Sequence, residues 1–409
     1  MSTAQDPLSA GAAPAPAGYR AALAVREFRA VFAAHLLSLL GIVVGEIALS
    51  VLVYRVTGSP LLGALTFALG FLPYLLGGTL LAGVADRYPA RRVLVVCNLL
   101  CAAGAAVTAL PGTPVPALLA LRAFSALIGP VLAGTRSATL GDVLGEGDLF
   151  VLGRSLIRIV TQGAQLAGFA AGGVLLTAVS PRTALLSTVA GFLASALLLR
   201  FGTRRRPGRA SGGADVLRAS LSGARQLLAD RRTRALLLLS WLPPFFLVAP
   251  ESLAAPYADE IGAGTVGVGL LMCGMPVGTI AGEVLAGSLL GPRARERITL
   301  PAASLLLLPF LLYAAKPSLG WALGAVALAG LGAAYTLGLD QWFVAAVPEE
   351  LRGRAMTLQT AGTMTIQGLG MALAGAAAEY APVHWVVVGA GAIGTLVVGG
   401  VVRLVVGSA

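Results

Sequence analysis

The chain has 409 residues, of which 57% are hydrophobic and 11% charged, less than half the charged share of about 25% usual in soluble domains. Apolar residues number about 233; at about 20 residues per helical crossing of a hydrocarbon core about 30 Å thick, that is material for roughly twelve crossings, with little left for an extramembrane domain. A soluble enzyme or nucleic-acid binder is excluded, and the net charge of +11 is read instead as membrane topology.

In chain order, residues 1–25 are expected as a disordered cytoplasmic tail; its Ala, Pro and Gly lack both the basic start and the apolar core of a signal peptide. Apolar segments follow at about 30–54, 60–83, 93–111, 114–135, 155–179, 183–201, 234–257, 265–290, 298–315, 319–345, 356–378 and 383–406. They are too long for barrel strands, so the fold class expected is an all-α membrane protein of twelve transmembrane helices. The polar stretch 202–233, with Arg204, Arg205, Arg206 and Arg209 followed by Ser211, Gly212 and Gly213, has the composition of a basic cytoplasmic linker. It divides an amino-terminal half, 26–201, from a carboxy-terminal half, 234–409.

With a cytoplasmic amino terminus, 25 of the 29 Arg and Lys fall in inner segments. Arg55, Arg182 and Lys316 lie in outer loops and Arg122 lies inside an apolar run. This asymmetry predicts both termini in the cytoplasm. Abundant Ala, Gly and Arg beside a single lysine hint at a GC-rich bacterial genome, hence a multi-pass protein of the inner (plasma) membrane, with lipids among its partners.

The halves repeat. At an offset of 204, Gly58, Gly63, Gly70, Gly78 and Gly83 recur as Gly262, Gly267, Gly274, Gly282 and Gly287, five coincidences where chance gives roughly two. Internal repeats of this kind build transporters whose binding site lies between the halves. Cys97, Cys101 and Cys273 sit in apolar runs, and His35 and His384 are far apart in sequence, so no metal site and no cofactor is expected. The chain also lacks G-x-x-x-x-G-K-[ST], which argues against direct drive by ATP.

After the second apolar segment comes Gly83-Val84-Ala85-Asp86-Arg87-Tyr88-Pro89-Ala90-Arg91-Arg92. This resembles the G-x-x-x-D-R-x-G-R-R loop of the major facilitator superfamily, with one residue fewer between glycine and aspartate and Pro89-Ala90 in place of the second glycine. The resemblance implies two six-helix halves, function as a monomer, and a cytoplasmic gate at Gly83, Asp86, Arg87, Arg91 and Arg92. In the second half Gly287 and Arg295 persist while Leu290 replaces the acid, so the gate is expected to be asymmetric. Residues 54–60 and 347–355 resemble the drug and siderophore exporter branch; physically, Gly58 and Pro60 break one helix, and Pro348 with Glu349 starts another. Gly168-Phe169-Ala170-Ala171-Gly172-Gly173 is similar to the antiporter motif G-P-x-x-G-G without its proline, and is equally readable as a helix-packing motif at Gly168, Gly172 and Gly173.

Ionisable groups inside a bilayer are rare and usually face a cavity. Glu46 in the first apolar segment and Glu251 in the seventh, offset by 205, are with Arg122 the proton-coupling candidates, because a carboxyl group in a low-dielectric cavity can exchange a proton near neutral pH. The alternative for Glu46 is an ion pair with Arg122 that holds helices together. Many family exporters carry an arginine in R-x-x-Q-G in the fourth helix; Arg122 matches, but the glutamine and glycine do not. Gln162, Gln165, Glu283, Asp340 and Gln367 are substrate-cavity candidates, Asp340 alternatively lying near the cytoplasmic end of helix ten. His35 is expected to pack or meet lipid headgroups rather than relay protons.

The resemblance implies a secondary transporter working by alternating access and exporting a small lipophilic or amphipathic compound, a drug or natural product, against protons. Its partners are then the small-molecule substrate and protons, with no nucleic acid. Uptake or facilitated diffusion of a nutrient stays open as an alternative. A polytopic enzyme is disfavoured because two distant histidines make poor material for a catalytic constellation, and a non-transporting receptor is the remaining reading.

Overall fold

The computed structural model describes residues 19–80, 88–145, 148–206, 225, 227–290, 292–348 and 352–407. They form twelve helical stretches, and no strand occurs among them. The amino-terminal half holds α2 (Arg26–Thr57), α3 (Pro60–Leu80), α4 (Ala90–Ala109), α5 (Val115–Leu144), α6 (Asp148–Ala178) and α7 (Pro181–Gly202), preceded by a short α1 (Tyr19–Ala24). Ala22 of α1 is buried, so the disorder expected for 1–25 does not reach its last residues.

The carboxy-terminal half is less regular. Its first stretch is split into α8 (Arg231–Leu247), α9 (Ala249–Ser252) and α10 (Ala254–Glu260), followed by α11 (Gly264–Leu289). Next come α12 (Pro292–Leu305), which continues as a 3₁₀ helix (Leu308–Ala315), then the pair α13 (Leu319–Gly332) and α14 (Tyr335–Ala346), then α15 (Arg352–Ala378) and α16 (Val383–Val406). The continuous segments expected at 234–257, 298–315 and 319–345 are therefore interrupted. Pro250 and Pro309 lie at two of the interruptions, where each removes a backbone donor and crowds the carbonyl four residues earlier; the break after Gly332 follows two glycines, Gly330 and Gly332, which are poor helix formers.

Helix ends follow local chemistry. Gly58 closes α2 in the left-handed conformation (φ +66°), and Pro60 opens α3. Asp230 caps α8 by accepting from Thr233 N–H at 2.7 Å, and Ser180 caps α7 through Thr183 N–H at 3.1 Å. The repeat survives in the structure: α3 starts at Pro60 and α11 at Gly264, α5 at Val115 and α13 at Leu319, both pairs at the offset of the glycines.

Within the first half α7 packs on α2 and α4, α3 on α5, and α6 on α2; within the second, α11 packs on α13, and α8 on α15 and α16. The halves meet through α3 against α15 and α6 against α11. Ten stretches among the described residues are long and apolar enough to cross a membrane. The other two are α3, whose end runs into residues outside the description, and α15, whose Gln359, Thr360, Thr363, Thr365 and Gln367 lower its hydropathy; a helix packed against the other half needs less apolar surface than one facing lipid.

Candidate functional site

Glu46 lies on α2, eleven residues or about 17 Å below its last residue at 1.5 Å per residue, well inside a bilayer. Arg122 on α5 reaches it across the bundle: Nη2 donates to Glu46 Oε1, and Nε donates to Thr66 O on α3 at 3.2 Å. One turn from Thr66, Gly70 supplies the room, since a Cβ there would sit 2.0 Å from Arg122 Nη2. The side chains of Arg122 and Glu46 are 15% and 22% exposed, so the pair is largely withdrawn from water and well matched in charge. The ion pair weighed above for Glu46 is thus present.

Glu251 sits in α9, the four-residue piece between the two breaks of the seventh stretch. Its charge interacts with that of Glu46, so two acids at nearly equivalent repeat positions converge where the halves meet. Arg122 is already engaged, and Glu251 has no cationic partner among the described residues. Ionising both acids beside one arginine leaves a net negative charge at this seam, which a proton or a cation relieves.

The other candidates scatter. Gly83, Asp86 and Arg87 lie outside the described residues. Arg91 Nη1 donates to Thr203 O at 3.3 Å, tying the start of α4 to the end of α7, and Arg92 is exposed. Glu283 is exposed on α11, Gln165 and Gln367 are half-buried on α6 and α15, and the Gln162 side chain is outside the described set. Asp340 is exposed six residues before the end of α14, the placement weighed above as its alternative, and accepts from Gln359 Nε2 at 3.3 Å.

His35 contacts protein. Arg136 Nη1 donates to His35 Nδ1 at 2.8 Å, and the His35 ring meets Thr161 Oγ1 through Nε2 at 3.0 Å. A guanidinium can only donate, so Nδ1 is bare and the proton of the neutral ring is on Nε2. His35 is 7% exposed and joins α2, α5 and α6, so of the two placements expected for it packing is the one found. Arg136, which the sequence placed only among topology-setting arginines, and Gln359 were missed as site residues.

At the face opposite the termini the halves are latched. Ser59 Oγ donates to Glu379 Oε1, which also accepts from Leu61 N–H at 3.0 Å, so α15 caps the first turn of α3 in the other half. The Tyr54 hydroxyl of the first half also lies within electrostatic reach of Asp259 of the second. Deeper, Gly173 of α6 faces Gly269 of α11, where a Cβ would lie 3.0 Å from the Gly269 Cα; Gly168 and Gly172 receive Val43 and Ile47 of α2. The three glycines thus serve close helix approach, with Gly173 alone doing so between halves. Among the described residues, the hydrogen bonds and glycine contacts that join the halves run from this far face to mid-bundle.

Two six-helix halves related by a repeat, with paired and unpaired charges buried between them, define a polytopic membrane transporter. A sequence profile of the Major Facilitator Superfamily matches residues 31–341, and the chain belongs to that family. Comparison with curated protein sequences gives no match. Among solved structures, the chain is similar to a bacterial homologue of the human lysosomal transporter Spinster, inward-facing and unoccupied (17% identity, covering 94% of this chain and 95% of that one, TM-score 0.62). It is also similar to the nucleoside transporter NupG (15%, 92% and 98%, 0.69) and to the POT family transporter PepTSo (10%, 94% and 98%, 0.73). At these identities the likeness is one of fold.

Proposed function

We propose that the chain is a proton-coupled exporter of small lipophilic or amphipathic compounds, with Glu46 as the coupling acid. The observation that carries this is the trio of Glu46, Arg122 and Glu251 at the meeting of the halves. Ionised Glu46 holds Arg122; a proton arriving from the outer solution neutralises Glu46 and frees the arginine, and its release to the cytoplasm restores the pair. Because each charge state favours different contacts, proton movement biases the conformers. The arginine-rich end carrying both termini is the cytoplasmic face of the inner membrane, so protons move inward as substrate moves outward. Gly83, Asp86, Arg87, Arg91 and Arg92 form its cytoplasmic gate.

The test uses purified protein in liposomes with an internal pH dye, challenged with a panel of lipophilic cations and natural products, comparing wild type with Glu46→Gln and Glu251→Gln. Substrate-dependent proton flux lost in Glu46→Gln supports the assignment. Flux kept in Glu46→Gln and lost in Glu251→Gln moves the role to Glu251, and substrate movement without proton flux replaces the exporter with a facilitator.

A further inference from the structure

The two halves differ where their outer helices meet. In the first, α4 lies along α5, and the seam between them is filled by Cys97, Cys101, Ile128 and Val131. In the second, α11 and α13 press together, with Gly278 and Gly282 leaving no room for a Cβ against Ala327 and Leu331, while α12 packs mainly on α14 and α16. At the repeat's offset Cys101, 2% exposed, becomes Leu305, 58% exposed, and the filler Ile128 becomes Gly332. What the second half leaves is a groove of about 690 Å³ between α11, α12 and α13, within the range of about 300–1,000 Å³ usual for ligand sites. Its walls include Leu285, Leu289 and Leu328, all exposed on the side of the bundle.

Shape and chemistry select the occupant. The groove is lined by aliphatic side chains and glycine, with no aromatic ring or hydrogen-bonding side chain among the described residues that form it, so nothing there orients a polar or drug-sized ligand. A flexible hydrocarbon chain needs no such group, and without one the lining lacks packing partners. Lengthwise the groove closes at Leu308 and Pro309, where the 3₁₀ helix returns to α13. From Arg295 to Leu305 α12 rises through ten residues, about 15 Å, half of a hydrocarbon core about 30 Å thick. The groove therefore has the reach of one leaflet. Its other end is cationic: Arg295, one turn before the groove residue Ile298, donates from Nε to the carbonyl of another, Ala286, at 3.1 Å. Arg293 and Arg297 are exposed beside it, against one acid, the exposed Glu296. In the turn before α12 only Gly291 lies outside the described residues. Basic pockets between membrane helices take up anionic headgroups, and a guanidinium matches a phosphate in geometry as well as charge. We infer that the groove binds one anionic phospholipid of the leaflet at the terminal face, an acyl chain occupying the wedge that Cys101 and Ile128 fill in the first half and the phosphate resting on the arginines that begin α12. The site opens sideways to lipid and is separate from the charges at the meeting of the halves.

The experiment is native mass spectrometry of the full-length protein, equilibrated in mild detergent with an equimolar mixture of phosphatidylglycerol and phosphatidylcholine. A diazirine midway along the acyl chain of the phosphatidylglycerol marks its position by cross-linking. The expected result is one retained phosphatidylglycerol, cross-linked near Leu305 and Leu328. Its preference over phosphatidylcholine should fall about fivefold in each of Arg293→Gln and Arg295→Gln. Ala302→Trp, which fills the groove, should lower retention roughly tenfold, the effect of about two methylene groups losing burial, whereas Leu197→Trp, at an exposed position of α7, should not. Equal retention of the two lipids by the wild type, cross-links confined to other helices, or an Ala302→Trp protein that keeps the lipid overturns the inference. So does one-for-one displacement of the lipid by the compounds of the transport panel, which gives the groove to substrate, and a dimeric mass without lipid, which gives it to a second copy. If Ala302→Trp does not fold, Ala302→Leu decides: weaker retention supports the site, and unchanged retention overturns it.

Discussion

A single methyl group on α11 should tip the carrier from one conformer to the other. A Cβ built on Gly269 lies 2.6 Å from Phe169 O, 2.9 Å from Gly173 Cα and 3.1 Å from Gly173 N. All three are backbone atoms of α6, so no side-chain rotation relieves the clash; the two helices, and with them the two halves, must separate. Overpacking of this kind costs about 1–3 kcal/mol. The strain falls on the conformer latched at the far face and is absent once that face opens, so Gly269→Ala should shift the equilibrium toward the far-face-open form by roughly 5- to 150-fold. Spin labels at Val56 of α2 and at Tyr380 just beyond α15, 64% and 93% exposed, report that opening. The background carries alanine at Cys97, Cys101 and Cys273 in both proteins compared, because Cys273 Sγ itself contacts Leu166 O at 3.6 Å in this interface. Gly173→Ala should act in the same direction but less, its nearest contacts being 3.0 Å. An unchanged distance distribution in a stably folded Gly269→Ala protein would refute the claim that this contact is a conformer-specific seam.

Gly70→Ala should lower substrate-dependent proton flux about as far as Arg122→Ala, because its methyl takes the place of the guanidinium; the atom displaced is the tip of a flexible side chain, so the melting temperature should fall less than for Gly269→Ala. Glu379→Ala should raise labelling of a cysteine placed at Ser59 by a membrane-impermeant maleimide, since it removes the acceptor that ties α3 to α15; Glu379→Gln, which keeps an acceptor oxygen, should raise it less. Asp230→Ala should destabilise α8 by about 0.5–1 kcal/mol, the lower part of the range for a lost cap because Asp230 is exposed. The Thr233 N–H, then the Thr233 hydroxyl, hold the Asp230 carboxyl below its ordinary value. That stabilisation is therefore fully present above the unfolded-state value near 3.8 and is lost as pH falls through the lower folded value; melting curves of wild type and Asp230→Ala should converge only at the acid end.

Much of the fold is legible without coordinates because a bilayer imposes a simple rule: every crossing needs a long apolar run with its backbone bonded internally. Glu46, Arg122 and Glu251 stand out for the same reason, being polar where water is scarce. Less legible was what each polar residue touches. Arg136 looked like one more arginine among the topology-setting set, and His35 like a ring that either packs or meets headgroups. Their pairing depends on how α2, α5 and α6 rotate against one another, which short-range pattern does not encode.

The sequence by itself determined the twelve stretches, their two-fold repetition, the asymmetric placement of 25 of the 29 basic residues, and which few charges fall inside the membrane, all consequences of transfer free energies that act locally along the chain. Only the tertiary structure decided that Arg122 engages Glu46 and leaves Glu251 without a cationic partner among the described residues, that Gly173 rather than Gly168 or Gly172 marks the seam between halves, and that a latch joins the halves at the face away from the termini. These are matters of which helix faces meet. The same apolar helices can pack in several rotations with similar burial, so the choice among them rests on the close glycine approaches and the few buried charges acting together.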